Sequence, residues 1–398
     1  MFRDPSITLL AIGQTLQWAG IFYIFPALLL RWEQDLGWSK ADLTAAITIA
    51  VLVSALASPL AGKIIDRGKG PNLLAGSAIL GGAGLLILAA VAARWQFYAV
   101  WVLIGIAMAG CLYEPCFALV TRARGKDAKK GIILITLVAG FASTISFPVN
   151  YALAEHLGWR GACVTFSAVV VLVAAPITWV GAYRLEQSRK LPDAPPSAAA
   201  AGRGFLGRQA FWFLALAFSC TAMAHGAALH HLLPLLDERE IPPQSAVLAA
   251  SFIGPMQVAG RLAVMASGSY LSHNAVAVLI FCMLGVAMLM LLISGISPAF
   301  LLAFVVFFGS AWGAVSILRP LLARDILGEE DFGAKFGALA LPFLAGAALA
   351  PFLGSLIWEA GGYDALLIVL IGVAGVGLGL YLAANRAART GRDRDGPA

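Results

Sequence analysis

Twelve times along its 398 residues the chain runs apolar for about twenty residues or more before it meets charge, glycine or proline. The runs cover about 6–30, 40–62, 72–93, 97–119, 131–154, 161–183, 210–236, 244–268, 275–294, 299–322, 336–357 and 365–384. A helix of ~20 apolar residues spans the ~30 Å hydrocarbon core of a bilayer. Lipid offers no partner to a peptide group, so runs of this length must close their own backbone hydrogen bonds as helices. The expected fold is therefore an all-α polytopic membrane protein with twelve transmembrane helices. Between the sixth and seventh runs lies Arg184 to Gln209, with Leu191-Pro192-Asp193-Ala194-Pro195-Pro196-Ser197 followed by alanines, the composition of a mobile linker. It divides the chain into a six-helix bundle at 1–183, a cytoplasmic linker at 184–209, and a second six-helix bundle with its tail at 210–398.

The composition excludes a water-soluble domain: 12% of residues are charged, against about 25% in soluble chains. The net charge of +6 does not point to nucleic acid, because the basic residues stand in short loops where they orient the chain in the membrane. Lys63, Arg67 and Lys69 follow the second run, Arg122, Arg124, Lys126, Lys129 and Lys130 the fourth, and Arg386, Arg389, Arg392 and Arg394 the twelfth. These ends are expected in the cytoplasm, with both termini inside a bacterial inner membrane. The first apolar run, Ile7 to Leu30, is too long for the core of a cleavable signal peptide and reads as a membrane helix. Five cysteines, all in apolar runs, argue against a disulfide framework. There is no phosphate loop, metal-ligand spacing or Ser/His/Asp set. The expectation is a non-enzyme without cofactor, a monomer whose partners are the lipid bilayer and a small-molecule substrate.

The two halves repeat each other. Pro148 and Gly158-Trp159-Arg160-Gly161-Ala162 have the same ten-residue offset as Pro351 and Gly361-Gly362-Tyr363-Asp364-Ala365. Leu119-Val120-Thr121-Arg122 at the fourth run's exit matches Leu321-Leu322-Ala323-Arg324 at the tenth's. A weak internal repeat of this kind marks secondary transporters.

Charge inside an apolar run has to be explained, since an arginine at mid-membrane costs at least ~2.5 kcal/mol. The stretch Ser245 to Tyr270 carries one, Arg261, with Gln257 one turn earlier on the same helix face and Gly254, Pro255 and Gly260 beside them. Arg261 is either an anchor for a substrate carboxylate, which a guanidinium grips with two hydrogen bonds, or half of a structural pair. Arg319, five residues before Arg324, is a substrate contact or a cation reaching for the interface. Glu114 is a proton carrier or a permanent salt-bridge partner. His225, His230 and His231 stand in the seventh run, and His231 reads as interfacial with His225 deeper. Gln14, Gln17, Trp18, Tyr23 and Asn150 add neutral polar groups, which orient substrate or bond across helices. Trp32, Trp38, Trp95 and Trp159 fall at run ends, where an interfacial aromatic belt accounts for them.

The loop Gly62-Lys63-Ile64-Ile65-Asp66-Arg67-Gly68-Lys69-Gly70 resembles the signature of the major facilitator superfamily, and the six-plus-six layout extends the resemblance over the whole chain. The resemblance implies a gating role for Asp66 and Arg67, and a central cavity lined by the first, fourth, seventh and tenth spans, which makes Arg319, Glu114 and the histidines cavity candidates. Tyr113-Glu114-Pro115 with Ala139-Gly140 is similar to the monocarboxylate-porter and oxalate/formate group. That group often places an acid four residues before a substrate-binding arginine in the eighth span. Here Arg261 matches the arginine and Gln257 replaces the acid. The function this implies is secondary transport of a small organic anion, a monocarboxylate with a proton, by alternating access. Substrate binding is expected at Arg261, Gln257, Arg319, His225 and His231, and proton coupling at Glu114. The rivals are efflux of a neutral or soft compound (a drug, vitamin or metalloid, the last through Cys111 and Cys116) and a non-transporting receptor.

Overall fold

The computed structural model describes residues 4–188, 203–267, 270–328 and 332–394, and nearly all of them are helical. Nine helical stretches among them are long and apolar enough to cross a membrane. Three of these, Lys40–Leu88, Ala128–Gln187 and Lys335–Arg389, run to 49, 60 and 55 residues, about twice what one crossing needs. Each is folded back at a glycine with positive φ: Gly68 at 76°, Gly158 at 69° and Gly362 at 74°. Counting those three twice gives the twelve spans that the apolar runs predict.

The elements in order are α1 (Pro5–Gln17), a π-turn (Trp18–Phe22) and α2 (Ile24–Leu36), which together form the first span, then α3 (Lys40–Ile64) and α4 (Gly70–Leu88). The fourth span is α5 (Arg94–Cys111) with α6 (Tyr113–Arg124), and the fifth and sixth are built from α7 (Ala128–Ala139), α8 (Ala142–Val169) and α9 (Ala175–Gln187). Then follow α10 (Gln209–Glu238), α11 (Pro243–Ser267), α12 (His273–Leu292), α13 (Pro298–Leu327) and α14 (Phe332–Arg394). Local chemistry sets the starts. Asp4 accepts the Ser6 amide at 3.0 Å ahead of Pro5, Ser39 the Asp42 amide at 3.0 Å, and Ser272 the Ala275 amide at 3.2 Å. Each oxygen satisfies one of the donors that a helix start leaves open.

The described residues form two compact units. Unit 1 lies within Met1–Pro196 together with Leu232–Gly254, and unit 2 within Ser197–His231 together with Pro255–Ala398. Both α10 and α11 therefore change unit along their length. In unit 1, α3 and α4 pack on α5, α1 on α7 and α9, and α2 on α8. In unit 2, α12 packs on α13 and α14, over a core that includes Phe211, Phe218, Phe281 and Tyr381. Most of the linker, residues 189–202, lies outside the described residues. After it, the short turn Arg203–Gly207 sets Phe205 into the core of unit 2.

Three expectations need correction. The first helical stretch continues to Leu36, so Trp32 stands inside it. Trp32 and Trp159 are fully buried, edge-to-face at 6.3 Å in a cluster with Phe25, Phe97 and Trp101. Of the four tryptophans assigned to the belt, these two are core. The repeat also shifts by one residue. The reversal equivalent to Gly158 (φ 69°, ψ 168°) is Gly362 (φ 74°, ψ −174°), eleven residues after Pro351 rather than ten. That region of φ/ψ is open essentially to glycine alone, which is why a glycine stands at each bend. Finally, two spans are interrupted where the sequence reads as continuous: the fourth at Leu112 (φ −82°, ψ −157°) and the fifth at Gly140-Phe141.

Candidate functional site

The break in the fourth span has a chemical cause. In a continuous helix the amide of residue 115 would bond the carbonyl of Cys111, but Pro115 has no N–H. The amide of Gln14 on α1 supplies the donor instead, with Nε2 2.6 Å from Cys111 O. The same Nε2 donates to Gln17 Oε1 at 3.0 Å, and Gln17 Nε2 donates to Thr178 Oγ1 on α9 at 3.0 Å. All of these groups are buried, so one hydrogen-bonded chain ties the first, fourth and sixth spans. Gly13 lets Thr178 this close, since a Cβ there would stand 2.1 Å from its Oγ1. Beyond the break, Glu114 stands in the first turn of α6 and is exposed. Aromatic rings flank it: Trp18 lies 4.7 Å from Tyr113, which stacks on Phe117 at 4.9 Å. Tyr23 meets Phe147 at 6.1 Å. Asn150 Nδ2 bonds Ser146, whose hydroxyl donates to Ala19 O in the π-turn at 2.8 Å.

Two further places in unit 1 carry charge. In the loop after α3, Asp66 and Arg67 have exposed side chains. Arg122 at the end of α6 donates to the Asp66 carbonyl and pairs with Glu186 on α9 at 3.2 Å. Elsewhere a cavity of about 160 Å³ is lined by Arg31, Gln34, Phe147, Tyr151 and Asp237, and Arg31 pairs with Glu155.

In unit 2 the backbones of α11 and α13 touch through glycine. A Cβ on Gly260 would stand 2.1 Å from Ser310 O, and one on Gly313 would stand 1.9 Å from Gln257 O. This crossing brings Ser316 to Arg261: the guanidinium Nε donates to Ser316 Oγ at 3.2 Å, and that hydroxyl donates to Gly313 O at 2.7 Å. Arg261 and Gln257 are 4% and 3% exposed. The Nε2 of Gln257 has no hydrogen-bond partner among the described residues.

The same helix, α13, also carries an aromatic stack. The imidazole of His225 lies between Phe308 (4.6 Å, 13°) and Trp312 (3.7 Å, 2°), and Trp312 stacks in turn toward Phe343 (5.9 Å, 11°). The Arg319 guanidinium caps Phe343 at 3.5 Å from the ring centroid, with Phe218 at 5.5 Å and Phe336 at 5.7 Å. A cation over ring faces is held by their negative quadrupole. Further along α10, His230 Nδ1 donates to Gly226 O at 2.8 Å and His231 Nε2 donates to Pro351 O at 2.9 Å.

Comparison with known proteins is decisive at this point: the profile of the Major Facilitator Superfamily matches residues 10–323. The chain belongs to that superfamily. Its fold is also that of a bacterial homolog to the human lysosomal transporter Spinster. The crystal structure in the inward-facing and occupied conformation aligns with a TM-score of 0.67 and 15% identity over 97% of each chain. The inward-facing and unoccupied one aligns at 0.74 and 14%, over 98% of this chain and 99% of the other. No curated protein matches the chain. As a superfamily member it is a multi-pass membrane transporter.

Within the superfamily fold, unit 2 holds Arg261, Gln257, Arg319, His225 and His231, and unit 1 holds Glu114, Asp66 and Arg67. Arg319 stands over three phenyl rings, those of Phe343, Phe218 and Phe336. His231 is buried, with Nε2 bonded to Pro351 O on α14. Sequence reasoning did not single out Trp312, Phe308, Phe343, Ser316 or Glu186. The spacing of Phe308, Trp312 and Arg319, four and then seven residues apart, does carry a signal, since it sets all three on one face of α13. Cys111, Cys116 and Cys163 are buried free thiols, with Cys220 and Cys282 also free.

Proposed function

We propose that the chain is a secondary active transporter of a small organic anion, a monocarboxylate or similar acid, which it moves with a proton by alternating access. The observation that carries this reading is a buried amide donor without a partner, Gln257 Nε2, one helical turn from the buried guanidinium of Arg261. An orphaned buried donor is costly, and a carboxylate oxygen is the acceptor that suits both an amide and a guanidinium. In this reading Arg261 and Gln257 bind the anion, His225 and Arg319 form the aromatic wall of the same unit, and His231 holds α10 to α14. Gln257 cannot titrate, so the proton travels at another place, which we assign to Glu114. Asp66 and Arg67, with Arg122 clamped on the same loop, form the gate. We also assign both termini to the cytoplasm of a bacterial inner membrane and the division into six-helix bundles at 1–183 and 210–398.

A second reading, efflux of a neutral apolar compound, draws on the ring face formed by Trp18, Tyr113 and Phe117. Its metalloid form is the weaker, because Cys111 and Cys116 are both buried. Proteoliposomes separate the two. A labelled panel of monocarboxylates should accumulate under an imposed proton gradient and should not accumulate once the gradient is collapsed. Movement of neutral aromatic compounds with no acid transported would favour the second reading.

A further inference from the structure

We propose that Gln14 is a positioning residue: its side-chain amide stands in for the backbone N–H that Pro115 lacks, and so fixes the start of α6 that carries Glu114. The argument begins with the orphaned acceptor. Cys111 O would accept from residue 115 in an unbroken helix, and proline at 115 leaves it unserved. In a membrane interior no water replaces that bond. Gln14 Nε2, at 2.6 Å, serves it from another span.

The amide is itself fixed. Gln14 and Gln17 are both 0% exposed, and Gln17 is bonded at one end to Gln14 and at the other to Thr178. A side chain with several rotatable bonds thereby becomes a strut of defined length from α9 through α1 to the carbonyl at the break. On the far side of the break, Leu112 takes an extended conformation and Cys116 N resumes helical bonding to Leu112 O at 3.3 Å. The direction in which α6 departs, and with it the setting of Glu114 in its first turn, depends on where that carbonyl is held. Proline creates the break, and glutamine sets its geometry.

The inference predicts a specific non-additivity. Restoring an N–H at position 115 should make Gln14 dispensable for the bond. Gln14→Leu, Pro115→Ala and the double variant are to be purified as full-length protein in detergent and compared by thermal unfolding. The bond to Gln17 is lost from both backgrounds and cancels in the comparison. Gln14→Leu should lower the Tm clearly more in the native background than in the Pro115→Ala background, where only the bond to Gln17 is lost. An equal loss in both overturns the proposal. If Gln14→Leu alone yields no folded protein, the double variant must restore it, and failure of that rescue also overturns the proposal.

The second readout reports position rather than strength and needs no transported substrate. Dicyclohexylcarbodiimide reacts with carboxyl groups, and its rate at Glu114 can be followed by mass spectrometry with Glu155 as the internal reference. Gln14→Leu should change the Glu114 rate by about three- to tenfold, the ratio carried by an interhelical hydrogen bond in a membrane, and leave Glu155 unchanged. A lowered Tm with an unchanged Glu114 rate would make Gln14 a strut only and would refute the positioning role. The proton-carrying role of Glu114 is tested separately by Glu114→Gln, so the two ideas fail independently.

Discussion

Unit 1 and unit 2 differ in what surrounds their most prominent buried polar groups, although unit 2 also has side chains that serve carbonyls, as His231 serves Pro351 O, and unit 1 also has buried atoms without a hydrogen-bond partner among the described residues, as Gln14 Oε1. In unit 1 the polar side chains repair the backbone. Gln14 serves Cys111 O, Ser146 serves Ala19 O, Ser167 serves Gly82 O at 2.7 Å, and Thr144 serves Ser251 O at 2.9 Å. The last repeats the logic of the first, because Pro255 leaves Ser251 O without its helical donor. In unit 2 the cation of Arg319 and the imidazole of His225 lie against rings instead, while Gln257 Nε2 and His225 Nδ1 have no hydrogen-bond partner among the described residues. Side chains committed to the backbone build a frame. Donors and acceptors that the fold leaves unused are what a ligand can meet.

The largest effect that would break this contrast is expected at Glu114, the charged side chain beside the break. If it carries the proton, Glu114→Gln should abolish accumulation driven by a proton gradient while exchange of substrate across the membrane, which needs no net proton movement, survives. Retained accumulation would move Glu114 from coupling to structure. A smaller effect sharpens the account of unit 2. Phe343→Leu keeps an apolar side chain but removes the ring face under Arg319, and should cost about 1 kcal/mol of stability. Phe117→Leu in unit 1 removes only a ring–ring contact and should cost less. Equal losses in thermal unfolding would mean that the cation contributes nothing to the stack.

The smallest effect concerns the end of α1. Partial burial raises the Asp4 carboxyl, but this is outweighed by its bonds from Arg124 and from the Ser6 and Ile7 amides, and the net direction is below the ordinary aspartate value. A carboxylate depressed in the folded state contributes stability that is present above its unfolded pKa and lost as pH falls through the folded one. Thermal stability should therefore fall with acidification below about pH 4. Asp4→Asn should flatten that slope slightly, since part-exposed pairs are worth little. An unchanged slope would show the Arg124 pair to be inconsequential.

The reach of the sequence follows from which physics acts locally. Lipid imposes a ~20-residue apolar unit on every span, so the twelve runs and the loop glycines Gly68 and Gly158 were legible. The break at Leu112 was not, because proline is tolerated within membrane helices when a neighbour repairs the backbone, and Gln14 stands far away in sequence. Tyr113-Glu114-Pro115 marked the right place without revealing its geometry. Arg261 and Gln257 were legible as neighbours on one face, but Ser316 was not, since its approach depends on the glycine crossing of α11 with α13. The stack behaved likewise: α13 advertises its face by spacing, while His225 and Phe343 arrive from other helices. Trp32 and Trp159 were misread because position in a run does not tell which side of the helix meets lipid.

The central claim is that Arg261 and Gln257 hold a carboxylate. Binding of a monocarboxylate panel by purified, monodisperse protein tests it most directly, with Arg261→Lys and Arg261→Ala beside the native chain. Lysine keeps the charge and loses the planar fork, so affinity for the transported acid should fall in that variant and further in alanine. Loss of a buried charged hydrogen bond is commonly worth ~2 to 5 kcal/mol, more than a tenfold rise in Kd. Unchanged affinity in correctly folded Arg261→Ala would contradict the account and leave the neutral-compound reading in its place.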